Sequence, residues 1–357
     1  MKKVLICGYF GFNNFGDELL LDQVIKDLLK VGFFRENIST ISKTPNITSE
    51  IYNIKASARL NIFTLFWSII SVDILVFTGG LFQDKTSLKS FLYYFFIAFL
   101  GVLTNKKIVF YGSGIGPIKS KIALGLFNFL IDKIDYITVR DNSSAKYLPY
   151  SGITTIDPAW SFEADLNVQK KISGINFNKP VLGVALRYDK YLTQNHLKFF
   201  SSKFSKLLSE QEDWQILFIP CMFNEDWAVN FNLYEDLVRK VGSSRVHIID
   251  DLENFTIAEQ AGLFTMCDAM FAMRYHALLL ALSYGKPVLG ITCDPKIKSI
   301  CDFASQVNFN LKDDLDHPWS YFWQNIAHST QHAKEAKEKA IEYHKENVKL
   351  LERAITS

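Results

Sequence analysis

A chain of 357 residues, 48% of them hydrophobic and 21% charged, is long enough for two domains with a full core each. A formal net charge of +2 is too small to point to nucleic acid or to a strongly anionic surface as partner. Five scattered cysteines (Cys7, Cys221, Cys267, Cys293, Cys301) form no CxxC and no zinc spacing. They read as buried thiols of a reducing compartment rather than a disulfide framework.

Residues 4–7 make a short apolar strand that runs at once into a glycine-rich stretch, so the basic start Met1-Lys2-Lys3 does not read as a signal peptide. That stretch is Gly8-Tyr9-Phe10-Gly11-Phe12-Asn13-Asn14-Phe15-Gly16-Asp17-Glu18. Its glycines do not fit G-x-G-x-x-G, and no acidic residue closes a plausible second strand, which disfavours NAD. No Gly-Lys-Ser/Thr is present, which excludes a Walker loop. Two readings stand side by side. Asp17 and Glu18 complement the dipole of the next helix, or Asn13, Asn14, Asp17 and Glu18 offer donors and acceptors to sugar hydroxyls.

Helical periodicity follows over 18–30 through Leu20, Leu21, Val24, Ile25, Leu28 and Leu29. A strand at 74–77 ends in Thr78-Gly79-Gly80-Leu81-Phe82-Gln83-Asp84. Glycines at a strand end let a ligand approach the backbone, and Gln83 and Asp84 are ligand contacts or turn residues. A helix over 88–103 contains an apolar run, 91–103, of 13 residues, short of the roughly 20 that span a bilayer. It is either packed against the sheet or laid in a membrane surface, for which Tyr93, Tyr94, Phe95 and Phe96 and the flanking Lys85, Lys89, Lys106 and Lys107 are suited. A strand at 107–111 ends in Gly112-Ser113-Gly114-Ile115-Gly116-Pro117. A helix covers 122–131, and a strand at 136–139 ends at Arg140. An arginine at the end of an apolar strand reads as an anion clamp. Asp141 or Ser143 caps the next helix, and Asp157-Pro158-Ala159 reads as a structural turn.

A polar stretch, 164–180, separates two halves of the same design. Strands follow at 181–186, ending at Arg187, at 215–219 and at 246–249, then a helix over 256–266 and a strand at 269–272. Next come Met273-Arg274-Tyr275-His276, an apolar helix over 277–282, a turn at Gly285-Lys286-Pro287, and a strand at 288–291 leading to Asp294-Pro295-Lys296. Two fixed cations and one imidazole thus stand at the ends of one αβ unit, at the sheet edge where ligands bind. A helix N-terminus favours anions and lowers the imidazole pKa, whereas a bound dianion raises it, so His276 is placed to titrate. Phosphate or carboxylate chemistry with proton transfer follows. A charged helix over about 331–356 closes the chain. The alternation predicts an α/β protein: two Rossmann-like domains, 1–165 and 181–330, in a GT-B-like arrangement, joined by a linker, 166–180, and followed by a C-terminal helix, 331–357.

In this order the pieces resemble the polysaccharide pyruvyl transferase family, in particular its CsaB-like members, which pyruvylate bacterial cell-wall polymers. The likeness runs from residue 8 to about 303. It is carried by Gly-x-x-Gly-x-x-Asn-x-Gly-Asp-Glu at 8–18, Gly-Gly-Leu-Phe-Gln-Asp at 79–84, Gly-Ser-Gly-Ile-Gly-Pro at 112–117, Arg-Asp-x-x-Ser at 140–144, Asp-Pro-Ala at 157–159, Arg-Tyr-His-Ala at 274–277 and Asp-Pro-Lys at 294–296. Ser113 stands where the family usually has Gln, Cys293 where it has Tyr, and Trp160 where it has Phe; the first bears on substrate choice more than on reaction type.

The resemblance implies phosphoenolpyruvate as donor and a saccharide with two hydroxyls as acceptor. The products are a cyclic pyruvate ketal and phosphate, with no metal or other cofactor. It implies His276, with Arg274 beside it, as the catalytic acid, and Arg140, Arg274 and Lys296 as the cations that hold phosphoenolpyruvate. The second domain is then the donor side and the first the acceptor side, with Asn14, Asp17, Gln83 and Asp84 as acceptor contacts. A lipid-linked acceptor would place the protein in the cytoplasm, peripheral at the inner face of the cell membrane. Two other readings stand beside this one. A GT-B glycosyltransferase with a nucleotide-sugar donor would grip a diphosphate with the same cations. A non-catalytic sugar-binding relative would not be expected to keep Arg274, His276 and Lys296 together.

Overall fold

Strands rich in Val, Ile and Phe that are buried along their length belong in a parallel sheet covered on both faces, and the chain builds two of these. The computed structural model describes residues 2–85, 87–149 and 152–356. It divides into two units, Met1–Ser161 with Ile341–Ser357, and Phe162–Ala340.

The first unit holds strands β1 (Val4–Phe10), β2 (Ile38–Ser42), β3 (Lys55–Ala58), β4 (Ile74–Phe77), β5 (Lys107–Ser113), β6 (Tyr136–Val139) and β7 (Ile153–Thr154). All pair in parallel, in the order β3-β2-β1-β4-β5-β6-β7. Its helices are α1 (Phe15–Lys30), α2 (Pro45–Tyr52), α3 (Ile62–Ile70), α4 (Leu88–Leu103), α5 (Lys121–Ile131) and α6 (Asn142–Ala145). One core joins Leu65 and Ile69 of α3, Phe91 and Ile97 of α4, and Phe127 and Leu130 of α5 to Leu75, Phe77, Ile108 and Phe110 of the sheet. A second core joins Leu21, Val24 and Leu28 of α1 to Val4, Ile6, Val76 and Val109, and takes in Leu351, Ala354 and Ile355 from the end of the chain.

The second unit holds β8 (Val181–Ala185), β9 (Gln215–Phe218), β10 (Val246–Ile248), β11 (Ala269–Ala272), β12 (Val288–Ile291) and β13 (Val307–Phe309), parallel in the order β10-β9-β8-β11-β12-β13. Its helices are α7 (Gln194–Glu210), α8 (Phe223–Val241), α9 (Ile257–Thr265), α10 (Tyr275–Ser283), α11 (Pro295–Phe303) and α12 (Asp316–Gln324). Helix α13 (Ile326–Thr356) belongs to this unit as far as residue 340 and to the first unit beyond it.

The stretch expected to link the halves is folded chain. Residues Leu166–Lys171 form a 3-10 helix packed on α9, with Val168 fully buried, Asp165 N donating to Ala258 O at 2.9 Å, and Lys171 paired with Glu259 at 2.6 Å. One apolar residue docks a stretch whose composition is otherwise that of a linker. Cys7, Cys221, Cys267 and Cys301 are buried free thiols and Cys293 is half-buried; burial pushes all five up from the ordinary thiol value.

Candidate functional site

The order in which strands are added reverses once in each sheet, between β1 and β4 in the first unit and between β8 and β11 in the second. Ligands of open α/β sheets bind outside the carboxyl ends of the strands at such reversals. The glycine-rich stretch leaves β1 at the first reversal, and the Arg-Tyr-His segment leaves β11 at the second.

In the first unit three loops converge. Glu18 closes the loop after β1 on itself, accepting from Gly11 N at 2.7 Å and from the Tyr52 hydroxyl at 2.9 Å; burial raises its pKa against the pull of these bonds. Asn14 Nδ2 donates to Asp17 Oδ2 at 2.5 Å. Gly79 is held at φ +81°, a conformation that favours glycine, and lies in ordinary contact range of α1, where a Cβ would fall 3.7 Å from Asp17 Oδ1. Loops 78–84 and 112–117 are laced together by Gly114 N to Gly79 O (3.0 Å) and Gly116 N to Phe82 O (2.8 Å). Gln83 is half-buried in this lacing. Asp84 is turned to the backbone: its carboxylate accepts from Lys119 N at 2.9 Å and Ser120 N at 2.6 Å. Desolvation pulls its pKa upward, but these bonds prevail and hold it below the ordinary value. Ser113, at the position that departs from the family pattern, is buried and donates to Phe77 O at 2.9 Å.

Arg140 leaves β6 beside these loops. Its guanidinium lies flat on Gly114, where an added Cβ would fall 2.8–3.0 Å from it. Its Nη1 donates to Asp157 Oδ2 at 2.7 Å; the Arg140 side chain is 7% exposed and that of Asp157 fully buried. The Asp-Pro-Ala segment is therefore more than a turn. It supplies the carboxylate that neutralises Arg140. Sequence reasoning also passed over Arg59, just beyond β3. Its guanidinium sits 4.6 Å from the Tyr93 ring centre and 4.8 Å from that of Phe12, which stacks on Tyr9 at 3.8 Å.

In the second unit the expected residues fall on two neighbouring strand ends. Arg274 is the N-cap residue of α10, and Tyr275 and His276 open the helix. The His276 ring meets Tyr275 edge to face at 5.1 Å, and its Nε2 is buried. Lys296, in the first turn of α11, places its ammonium 5.9 Å from the Tyr275 ring centre, so the Tyr275 ring neighbours both the imidazole and the lysine. Asp294 caps that helix by accepting from Lys296 N at 3.2 Å.

The partner of Arg274 was not read from the sequence. It is Asp226, in the first turn of α8 and fully buried. Arg274 Nε donates to Asp226 Oδ2 at 2.9 Å and Nη2 to Oδ1, a two-pronged pair that fixes the plane of the guanidinium. Burial acts to lower the Arg274 pKa, but the bonds to Asp226 prevail and raise it; burial raises that of Asp226 despite the arginine. Four residues on, Asn230 binds both Leu186 N (3.1 Å) and Leu186 O (2.8 Å), holding the end of β8. The next residue, Arg187, is half-buried, and its positive field reaches both Asp226 and Cys293. It is a further cation at the reversal. Its signal, an arginine at the end of an apolar strand, was the same as that of Arg140.

The profile of the polysaccharide pyruvyl transferase family matches residues 14–295. No protein with a curated description matches the sequence. Among solved structures, the UDP-GlcNAc 2-epimerase of Neisseria meningitidis bound to UDP-GlcNAc is similar at a TM-score of 0.64 and 14% identity, over 98% of this chain and 99% of that one. HepE of Anabaena in complex with UDP and glucose is similar at 0.63 and 12%, over the whole of both chains. The UDP-GlcNAc 2-epimerase of Methanocaldococcus jannaschii follows at 0.62 and 11%, over 91% and 92%. At these identities the likeness shows the fold alone, the GT-B fold of two Rossmann-like units.

Proposed function

Because the chain belongs to the polysaccharide pyruvyl transferase family, we propose that it moves the enolpyruvyl group of phosphoenolpyruvate onto two hydroxyls of a cell-wall or capsular saccharide. A cyclic pyruvate ketal forms and phosphate leaves. The observation that carries this reading is the start of α10, where an oriented guanidinium and an imidazole stand together at the reversal of the second sheet. The reaction needs a proton for a carbon atom and cations for two acidic groups, and these are the residue types present.

In this reading the His276 imidazolium protonates the methylene carbon of phosphoenolpyruvate, and cationic character develops at the neighbouring carbon. A first sugar hydroxyl adds there, the carbon–oxygen bond to phosphate breaks, and a second hydroxyl closes the ketal. Of the two protons the hydroxyls lose, one restores His276 and the other leaves with phosphate. Arg274, its plane fixed by Asp226, and Lys296 hold the carboxylate and phosphate and stabilise the departing charge. Arg187 joins the set as a cation of the same sheet edge, and Arg140 is the candidate anion clamp of the first unit. Asn14, Asp17 and Gln83 are the acceptor candidates. Asp84, engaged with the 119–120 backbone, is better suited to shaping that loop than to taking a hydroxyl proton.

Release of phosphate from phosphoenolpyruvate, measured with a panel of disaccharide acceptors, tests the proposal. Turnover is expected in the wild type and a loss of about 10²–10⁴-fold in His276→Gln at unchanged melting temperature. Consumption of a UDP-sugar with no phosphate release from phosphoenolpyruvate would move the assignment to the nucleotide-sugar glycosyltransferases.

A further inference from the structure

We propose that the outer surface of α3, α4 and α5 is a docking face for an anionic lipid bilayer. The three helices pack side by side on one face of the first sheet and supply its core from their inner sides. Their outer sides are apolar as well. Phe63 is 76% exposed, Trp67 65%, Ile122 70% and Phe129 50%, with Leu92 and Phe96 at 40% between them. A helix that is hydrophobic all round is one buried on every side or one that meets lipid. No helix among the described residues is long and apolar enough to cross a membrane, so contact by this face means lying in the interface.

The charge pattern names the partner. Residues 60–71, 85–107 and 119–131 contain no Asp and no Glu, in a chain with 37 of them against 39 Lys and Arg. The same stretches carry Lys85, Lys89, Lys106, Lys107, Lys119 and Lys121. Two of these serve the fold: Lys106 donates to Ile70 O at 2.9 Å, closing the end of α3, and Lys107 lies 5.9 Å from the Tyr136 ring centre. Lys85, Lys89, Lys119 and Lys121 are exposed and cluster at the N-terminal ends of α4 and α5, with the Asp84 carboxylate beside Lys119. Cations there oppose the helix dipole. Acids open α1, α8, α9 and α12, with Asp17 and Glu18, Glu225 and Asp226, Glu259, and Asp316, whereas α11 opens with a lysine, Lys296, that is itself assigned to an anion. Lysines kept where they do not help the helix fit a use outside it, namely anionic headgroups. A second copy of the chain docked with its helices running the same way would set these lysines against their own kind, whereas an anionic bilayer meets all of them with opposite charge. The lysine end of the face is also the end that carries loops 78–84 and 112–117. This places the edge of the sheet at the headgroup level. The proposal stands on the surface alone and is independent of the reaction assigned above.

Flotation with phosphatidylcholine vesicles, with and without phosphatidylglycerol, tests it on the full chain. Wild type is expected to float with the anionic vesicles and to be released by high salt. Phe63→Ser/Trp67→Ser should lose flotation at unchanged turnover of soluble acceptors. Lys89→Glu/Lys121→Glu places acids at two helix N-termini, so it should fold at least as well, yet its partitioning should fall by about 30-fold or more. Three results would overturn the proposal: no flotation with either vesicle; equal flotation of wild type and both variants; or a wild-type dimer in sedimentation velocity that Phe63→Ser/Trp67→Ser abolishes while no vesicle binds.

Discussion

Asp226 shows how a fully buried carboxylate can set the orientation of a cation. It meets Arg274 with both oxygens and receives Met222 N at 3.0 Å. Replacing one partner of a buried pair leaves the other charge uncompensated, at a cost of about 3 kcal/mol or more. Asp226→Asn should therefore lower the melting temperature and, if Arg274 holds the donor as proposed, raise KM for phosphoenolpyruvate more than it lowers kcat. Thermal unfolding and steady-state kinetics on one preparation would show it, and a variant with wild-type values for both would deny Asp226 this role. Asp84 has a different signature. Its pKa is held below the ordinary 3.8 by the backbone donors at 119 and 120. A carboxyl with a depressed folded-state pKa stabilises the fold above its unfolded value and loses that contribution as pH falls through the folded one. The stability gap between wild type and Asp84→Asn should thus be present at neutral pH and close below about pH 4. A gap that persisted unchanged into stronger acid would show that charge is not the reason for it.

Among the elements, the loop after β5 is shaped around Arg140. Gly114→Ala would put a methyl group within 3.0 Å of the guanidinium, and overpacking of this kind costs about 1–3 kcal/mol. The expected result is a lower melting temperature together with loss of activity, because Arg140 must leave Asp157 or the loop must shift. Unchanged stability and turnover would mean that the close approach is dispensable. Elements of this kind differ in how far they could be read from the sequence. Strands β4 and β11 carry unbroken apolar runs between small or polar residues, β6 and β12 are interrupted only by Thr138 and Gly290, and the ends of all four were legible. Strands β3, β7 and β13 were not, because edge strands need less apolar surface: β3 is Lys-Ala-Ser-Ala and β7 two exposed residues. The inner strand β2 was missed because three of its five residues, Ser39, Thr40 and Ser42, carry hydroxyls. Helices α3, α7 and α8 were also passed over, α3 because its apolar residues do not keep to one face. Within the candidate site, Arg274, His276 and Lys296 were legible because strand, loop and helix start are local patterns. Asp226 and Asp157 were not. Their meaning lies in a pairing across 48 and 17 residues, for which no local pattern exists.

At the scale of the whole molecule, α13 closes the core of the first unit. Leu351, Ala354 and Ile355 enter that core, His344 Nε2 lies 3.2 Å from the buried Asp27, and Asn347 bonds to Thr155 and to Ile156 O. Removing residues 341–356 would withdraw three large buried apolar side chains, Leu350, Leu351 and Ile355, about 5–9 kcal/mol of burial, a large part of a domain's net stability. Hydrogen exchange of the shortened chain should show β1, β4 and β5 losing protection while β8, β11 and β12 keep theirs. Equal protection in both sheets would show that the terminal helix is not needed for the first.

The split make-up of the first unit also orders events on the ribosome. Residues 162–340 form one continuous stretch and can fold as soon as they have emerged. The first 161 residues emerge earlier, but their second core stays open until residues 341–357 follow. At 5–20 residues per second that wait is on the order of 10–40 s. Throughout it, the face of the sheet that α13 will cover is exposed to chaperones and to other nascent chains, so the half of the molecule made first is the half finished last.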